Sequence, residues 1–210
     1  WAAVALAVVV AGVCGALSGY FVAYCGVQPM VVTLGGSFLF TGVALLVSNL
    51  SATESYKGIS GFPDSFLQIS KFKLFGVIPC QVIIFLVLAV IAYVLLNKTK
   101  YGRMVFLIGV NKDAAEFSGI NTRLITMTTY ILSGISAAIA GIILTSYIGT
   151  AKSDIGVTFT LPIITAVVLG GTLSTGGKGS VVGTALAAVV IGVLKFGLPL
   201  CFKVPQQYLD

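Results

Sequence analysis

From Ala2 to Tyr24 the chain carries no Asp, Glu, Lys or Arg, and the same holds from Pro29 to Leu50, Leu74 to Leu96 and Leu124 to Ile148. Lipid offers a backbone no hydrogen-bond partner, so a chain enters it as internally bonded helix, and about 20 apolar residues of helix cross a core about 30 Å thick. These runs predict spans at approximately 2–24, 29–50, 74–96 and 124–148. The run 156–171 is shorter and contains Pro162, which predicts a tilted, broken or re-entrant segment. A last run, 181–200, includes Lys195, whose long stem lets its ammonium snorkel to the nearer interface. The expected fold class is an all-α polytopic membrane protein with about six transmembrane or partly spanning helices, residues 1–210 forming one domain. The chain opens at Trp1 within an apolar run and without a signal peptide, and is expected to be a fragment of a larger bundle.

Composition excludes most soluble functions. Charged residues make up 9% of the chain, against about a quarter in soluble domains. Its 12 Lys and Arg outnumber its 6 Asp and Glu, but they are scattered between apolar runs and form no stripe for nucleic acid. Histidine is absent, which removes histidine bases, histidine zinc sites and Ser-His triads. Cys14, Cys25, Cys80 and Cys201 have no paired spacing and are read as small buried hydrophobes, neither a disulfide framework nor a metal site. Gly171–Ser180, GTLSTGGKGS, superficially resembles a phosphate loop. The motif fails because Thr172 replaces its first glycine and Gly179 its magnesium-binding hydroxyl. A turn in which Gly176, Gly177 and Gly179 supply positive φ explains the same residues. No catalytic residue, resident metal or cofactor is expected.

Small residues at every fourth position let helices approach closely in lipid, where no hydrophobic force drives them together. Ala11, Gly15 and Gly19, then Ser133, Ala137 and Gly141, then Gly179, Gly183 and Ala187 form three such faces. The first five predicted spans carry no ionisable Asp, Glu, Lys or Arg, which disfavours ion-coupled transport. Residues 97–123 are the most polar stretch. Within it Asn111 can cap a helix, Asp113 and Glu116 follow early, and Gly119 can stop it, predicting a short exposed helix over 111–119. With that stretch in the cytoplasm, Lys98, Lys100, Arg103, Lys112, Arg123 and Lys178 fall inside and Lys57, Lys71, Lys73, Lys152, Lys195 and Lys203 outside. The positive-inside rule therefore leaves orientation open.

The motifs Thr99-Lys100-Tyr101-Gly102-Arg103, Ile108-Gly109-Val110-Asn111-Lys112-Asp113-Ala114-Ala115 and Ser118-Gly119-Ile120-Asn121 resemble the cytoplasmic coupling segment of bacterial ABC-importer permeases of the ribose, galactose and xylose type. The likeness continues through Tyr130, Ser133-Gly134, Ala140-Gly141, Ala166-Val167-Val168-Leu169-Gly170-Gly171 and Gly176-Gly177-Lys178-Gly179-Ser180 to Gly183. Upstream, Pro29-Met30-Val31-Val32-Thr33-Leu34-Gly35 is similar to an earlier motif of that family.

The resemblance implies a multi-pass permease subunit in the bacterial cytoplasmic (inner) membrane. It implies a second permease subunit, ABC ATPase subunits that hold ATP and magnesium in trans, and an external or periplasmic solute-binding protein. Segment 97–123 then faces the cytoplasm, with 51–73 and 149–156 outside. Coupling to the ATPase is assigned to Gly102, Arg103, Gly109, Asn111, Asp113, Ala114, Ala115, Glu116, Gly119 and Asn121. The solute pathway is assigned to Thr33, Gly35, Gly36, Thr165, Gly170 and Gly171, where small or hydroxyl-bearing residues let a solute approach the backbone; helix packing explains them equally. A monosaccharide is the first expectation for the solute. Family members commonly carry acidic residues where Thr160 and Pro162 stand, so autoinducer-2, nucleosides and other small polar solutes remain alternatives, as do branched-chain amino acids. An ion-coupled carrier or passive channel is the alternative of different class. The echo of Thr33-Leu34-Gly35-Gly36-Ser37 in Val168-Leu169-Gly170-Gly171-Thr172 would suit an inverted repeat.

Overall fold

The structure, a computed structural model, describes residues 1–50, 58–71, 73–74, 78–153 and 155–202. In chain order it contains α1 (Ala2–Ala23), α2 (Pro29–Leu50), α3 (Asp64–Lys71), β1 (Lys73–Leu74), β2 (Ile78–Pro79), α4 (Cys80–Lys98), α5 (Lys100–Val110), α6 (Lys112–Phe117), α7 (Thr122–Ile148), a 3-10 turn (Val157–Phe159), α8 (Thr160–Leu169) and α9 (Val181–Phe202). The chain is an all-α polytopic membrane protein; among the described residues β1 and β2 form a two-residue antiparallel ladder. Among the described residues α1, α2, α4 and α7 are long and apolar enough to cross a membrane.

Four boundaries differ from the sequence reading. The third span begins at Cys80, since Lys73 and Leu74 pair with Pro79 and Ile78 before the helix starts. The predicted external loop 51–73 contains a helix, α3, while 51–57 and 72 lie outside the described residues. Residues 100–110, within the polar stretch 97–123 for which the sequence predicts a helix only over 111–119, form α5. The segment 156–171 yields a 3-10 turn and a helix of 10 residues, about 15 Å long, so α8 has the length of only half a bilayer core.

The described residues fall into two compact units, Trp1–Phe85 with Gly119–Ile155, and Leu86–Ser118 with Gly156 onward. In the first, α1 packs along α7 in antiparallel register. A Cβ on Gly15 would lie 2.5 Å from the Tyr130 carbonyl oxygen, one on Gly19 3.1 Å from the Met127 Cα, and one on Gly12 3.7 Å from the Ile135 side chain. The reciprocal glycine on α7 is Gly134, whose added Cβ would sit 2.5 Å from the Ala11 carbonyl oxygen. This corrects the predicted α7 face: nothing lies within 4 Å of a Cβ on Gly141. Fourfold spacing finds a narrow stripe but cannot say which of two adjacent stripes meets the partner.

α7 is capped at its start by Asn121, whose Oδ1 accepts from the Leu124 N–H at 3.2 Å, and stopped by Gly149 at φ 73°. Against its far end lies α3, held by the Ser146 hydroxyl, which donates to the Phe66 carbonyl at 2.8 Å. Just outside it, Ile59 and Ala151 exchange backbone hydrogen bonds of 2.9 and 3.0 Å. In the second unit, α8 and α9 form a hairpin closed by glycine, a Cβ on Gly183 running into the Gly170 carbonyl oxygen.

The buried hydrophobic residues among those described are small or single: Ala23, Ala115, Ile125, Ala166 and Ala187. Large side chains such as Phe38, 79% exposed, point outward, as expected where the surrounding solvent is itself apolar.

Candidate functional site

The polar segment between α4 and α7 is built from capping residues. Thr99 separates α4 from α5; its hydroxyl donates to the Leu95 carbonyl at 2.5 Å and accepts from the Gly102 N–H at 3.3 Å. Gly102 is buried where the chain turns against Leu96, and a Cβ there would run into the Leu96 carbonyl oxygen. Any other residue would push α5 off the end of α4. Arg103, next in line, is exposed.

Asn111 joins α5 to α6 with no residue between. Its N–H closes α5 by donating to the Leu107 carbonyl at 3.0 Å, and its Oδ1 caps α6 by accepting from the Ala114 N–H at 3.0 Å. Extended backbone at φ −155° turns the chain there, so the two helices form an elbow. α6 has six residues, shorter than the predicted 111–119. Asp113 lies in its first turn, where a carboxylate complements the N-terminal dipole, but Glu116 falls in its last turn and not early as predicted. Ser118 ends the helix, donating from both its N–H and its hydroxyl to the Ala114 carbonyl, and Gly119 follows at φ 79°. Asn121 belongs to the first unit as the cap of α7.

α6 rests on one side and is open on the other. Ala115 is 5% exposed, while Lys112, Asp113, Ala114 and Glu116 are exposed and Phe117 is 93% exposed. Phe117 was passed over in the sequence reading, and Thr99, quoted there within a motif, was given no role. The signals were there: Phe117 is an aromatic inside the most polar stretch, and Thr99 is a hydroxyl residue just before a helix.

The predicted pathway residues divide between the two units. Thr33 donates to the Pro29 and Met30 carbonyls at 3.0 and 3.1 Å, and Gly35 and Gly36 continue α2 as unbroken helix. Nothing lies within 4 Å of a Cβ on Gly35, whereas one on Gly36 would touch Phe40 at 3.5 Å. Thr165 donates to the Leu161 carbonyl at 2.9 Å. Gly170 packs on the backbone of Thr184 and Gly183, and Gly171 turns the chain out of α8 at φ 88°. The proposed internal echo is thus not an echo of backbone shape, since one copy lies within a helix and the other ends one.

The glycine-rich turn after α8 has the positive φ predicted for Gly176 (90°) and Gly177 (79°). Gly179 differs: positive φ is not its reason, but a Cβ there would lie 3.3 Å from the Thr172 side chain.

The family described as branched-chain amino acid transport system / permease component matches residues 1–208. Among curated relatives, the Autoinducer 2 import system permease protein LsrD of Photorhabdus luminescens is 42% identical over 206 residues, 98% of this chain and 61% of the relative. The protein of the same name from Yersinia pseudotuberculosis serotype O:3 is 42% identical over 198 residues, 94% of this chain and 59% of the relative. That of Salmonella paratyphi B is 41% identical over 205 residues, 98% of this chain and 61% of the relative. The chain spans about three fifths of the length of the curated relatives it matches. No solved structure gives a significant match.

Proposed function

The chain belongs to the branched-chain amino acid transport system / permease component family, and from that premise we propose that it is the membrane-spanning part of an ATP-driven importer of a small polar solute. Hydrolysis takes place on separate ATPase subunits, a solute-binding protein delivers the cargo from outside, and a second permease subunit completes the pathway.

The observation that carries this reading is the α5–α6 elbow. A helix of six residues is too short to persist alone in water, yet α6 is capped at its start, stopped at its end and seated on Ala115. Its outward side offers Asp113, Glu116 and Phe117 for a partner. A passive connector between spans has no use for such a platform, whereas a subunit pushed by an ATPase does. The ATPase would bias the bundle between inward-open and outward-open arrangements by binding one of them better.

For the solute, autoinducer 2 is the favoured member of the small polar class. The named relatives import it at about two-fifths identity, and Thr160 and Pro162 replace the acidic residues expected of sugar permeases.

Uptake into vesicles containing the intact permease pair tests the class. Uptake should require the ATPase and ATP; uptake driven by an ion gradient alone, with the ATPase omitted, would refute the importer reading. Competition among autoinducer 2, ribose and a nucleoside then ranks the solutes.

A further inference from the structure

The glycine-rich turn after α8 lies against the elbow that carries α6, and its fit is reciprocal. A Cβ on Gly109 would strike the Gly177 nitrogen and lie 3.0 Å from the Gly177 Cα. One on Gly176 would lie 3.0 Å from the Gly109 carbonyl oxygen, and one on Gly177 would lie 2.8 Å from the Val110 Cγ2. Three glycines therefore share a contact in which backbone meets backbone, immediately before Asn111.

The turn is also firmly tied to α9. Leu173 donates to the Lys178 carbonyl at 3.1 Å and Gly176 to the Leu173 carbonyl at 3.0 Å, so the turn is closed on itself. The Thr172 and Thr184 hydroxyls stand 3.4 Å apart, Ser180 caps α9 by accepting from the Gly183 N–H at 3.1 Å, and Gly170 meets Gly183 backbone to backbone. Each neighbour in the series from α6 through Asn111, Gly109, Gly176 and Gly177 to α8 and α9 is held by hydrogen bonds or by a fit without side-chain cushioning.

We propose that Gly109, Gly176 and Gly177 form a joint that passes displacement of α6 directly to the α8–α9 hairpin, making them positioning residues for transport. The proposal rests on the importer reading and adds to it a route within the second unit, independent of the chain connection from α6 into α7. Close-packed backbone transmits displacement because it has no compliant atoms between the moving parts.

Gly109→Ala is the test, made in the full-length permease assembled with its partner subunits in vesicles. Gly109 is helical, so alanine favours α5 itself, and the three atoms nearest an added Cβ all belong to Gly176 and Gly177. Solute taken up per ATP hydrolysed should fall about tenfold, in the range of site-to-site coupling, while ATP hydrolysis per assembled complex persists. Gly192→Ala, in open space on α9, should leave that ratio unchanged. An unchanged ratio in Gly109→Ala, or uptake and hydrolysis falling in proportion, would overturn the joint. If the wild-type complex itself moved solute without ATP, the importer reading would fail and the joint with it, so the two failures are told apart by the wild-type control.

Discussion

Asn111 serves two helices with one side chain and one N–H. Replacing it by alanine removes the acceptor for the Ala114 N–H and should cost about 1 kcal/mol, whereas serine keeps an acceptor there. The expected result is a lower melting temperature of the permease–ATPase complex for Asn111→Ala and a near-normal one for Asn111→Ser. Gly15 offers a second comparison. Leucine there would have to displace the Tyr130 backbone, a cost of about 1–3 kcal/mol, while Gly141→Leu has room. Thermal unfolding in detergent should separate the two, and equal effects would remove the α1–α7 register from consideration. Residues of this kind were legible to the extent that their chemistry is local. The caps at Asn111 and the stop at Gly119 follow from side-chain reach and φ alone. Gly134 was not legible, because its value lies in the Ala11 carbonyl opposite it, and Ser133, Ala137 and Gly141 offered an equally spaced stripe one residue away.

At the scale of elements, α3 and α6 are short helices that owe their position to what they rest on. α3 is fastened by the Ser146–Phe66 hydrogen bond at the end of α7. Ser146→Ala should release it by about 1 kcal/mol, read as roughly fivefold faster amide hydrogen exchange in α3 with α1 unaffected. On α6, truncating an aromatic at the centre of an interface commonly costs about 2 kcal/mol. Phe117→Ala should therefore weaken ATPase binding roughly thirtyfold in Kd, with the permease still folded; unchanged binding would show that Phe117 does not touch the ATPase. The long spans were legible because uncharged length is a sufficient signal in lipid. The start of α4 was not, because β1 and β2 pair across a gap in sequence, and α5 was hidden by the charges that flank its apolar residues. α8 is short for a legible reason: Pro162 sits in its first turn, where a missing N–H is tolerated, and the helix ends at Gly170 after about 15 Å.

For the whole molecule, alternation of spans from a cytoplasmic 97–123 requires α1 and α7 to run in opposite directions and places 51–73 on the same side as 149–156. Within the first unit α1 packs antiparallel on α7 and Ile59 bridges to Ala151, which reflects the alternation alone, whichever side 97–123 faces. The scheme predicts that a cysteine at Glu116 reacts with an impermeant thiol reagent only after the membrane is opened and crosslinks to the ATPase, while one at Gly61 reacts in intact cells. Labelling of position 116 from outside would invert the topology. The union of α5 and α6 at a single residue has one more consequence. A hinge with no spare length has little room for slack, so an engine pressing on α6, as proposed above, would deliver its stroke to the top of the lever. Inserting one glycine after Asn111 would introduce lost motion, leaving an engine that still burns fuel while its cargo stays outside.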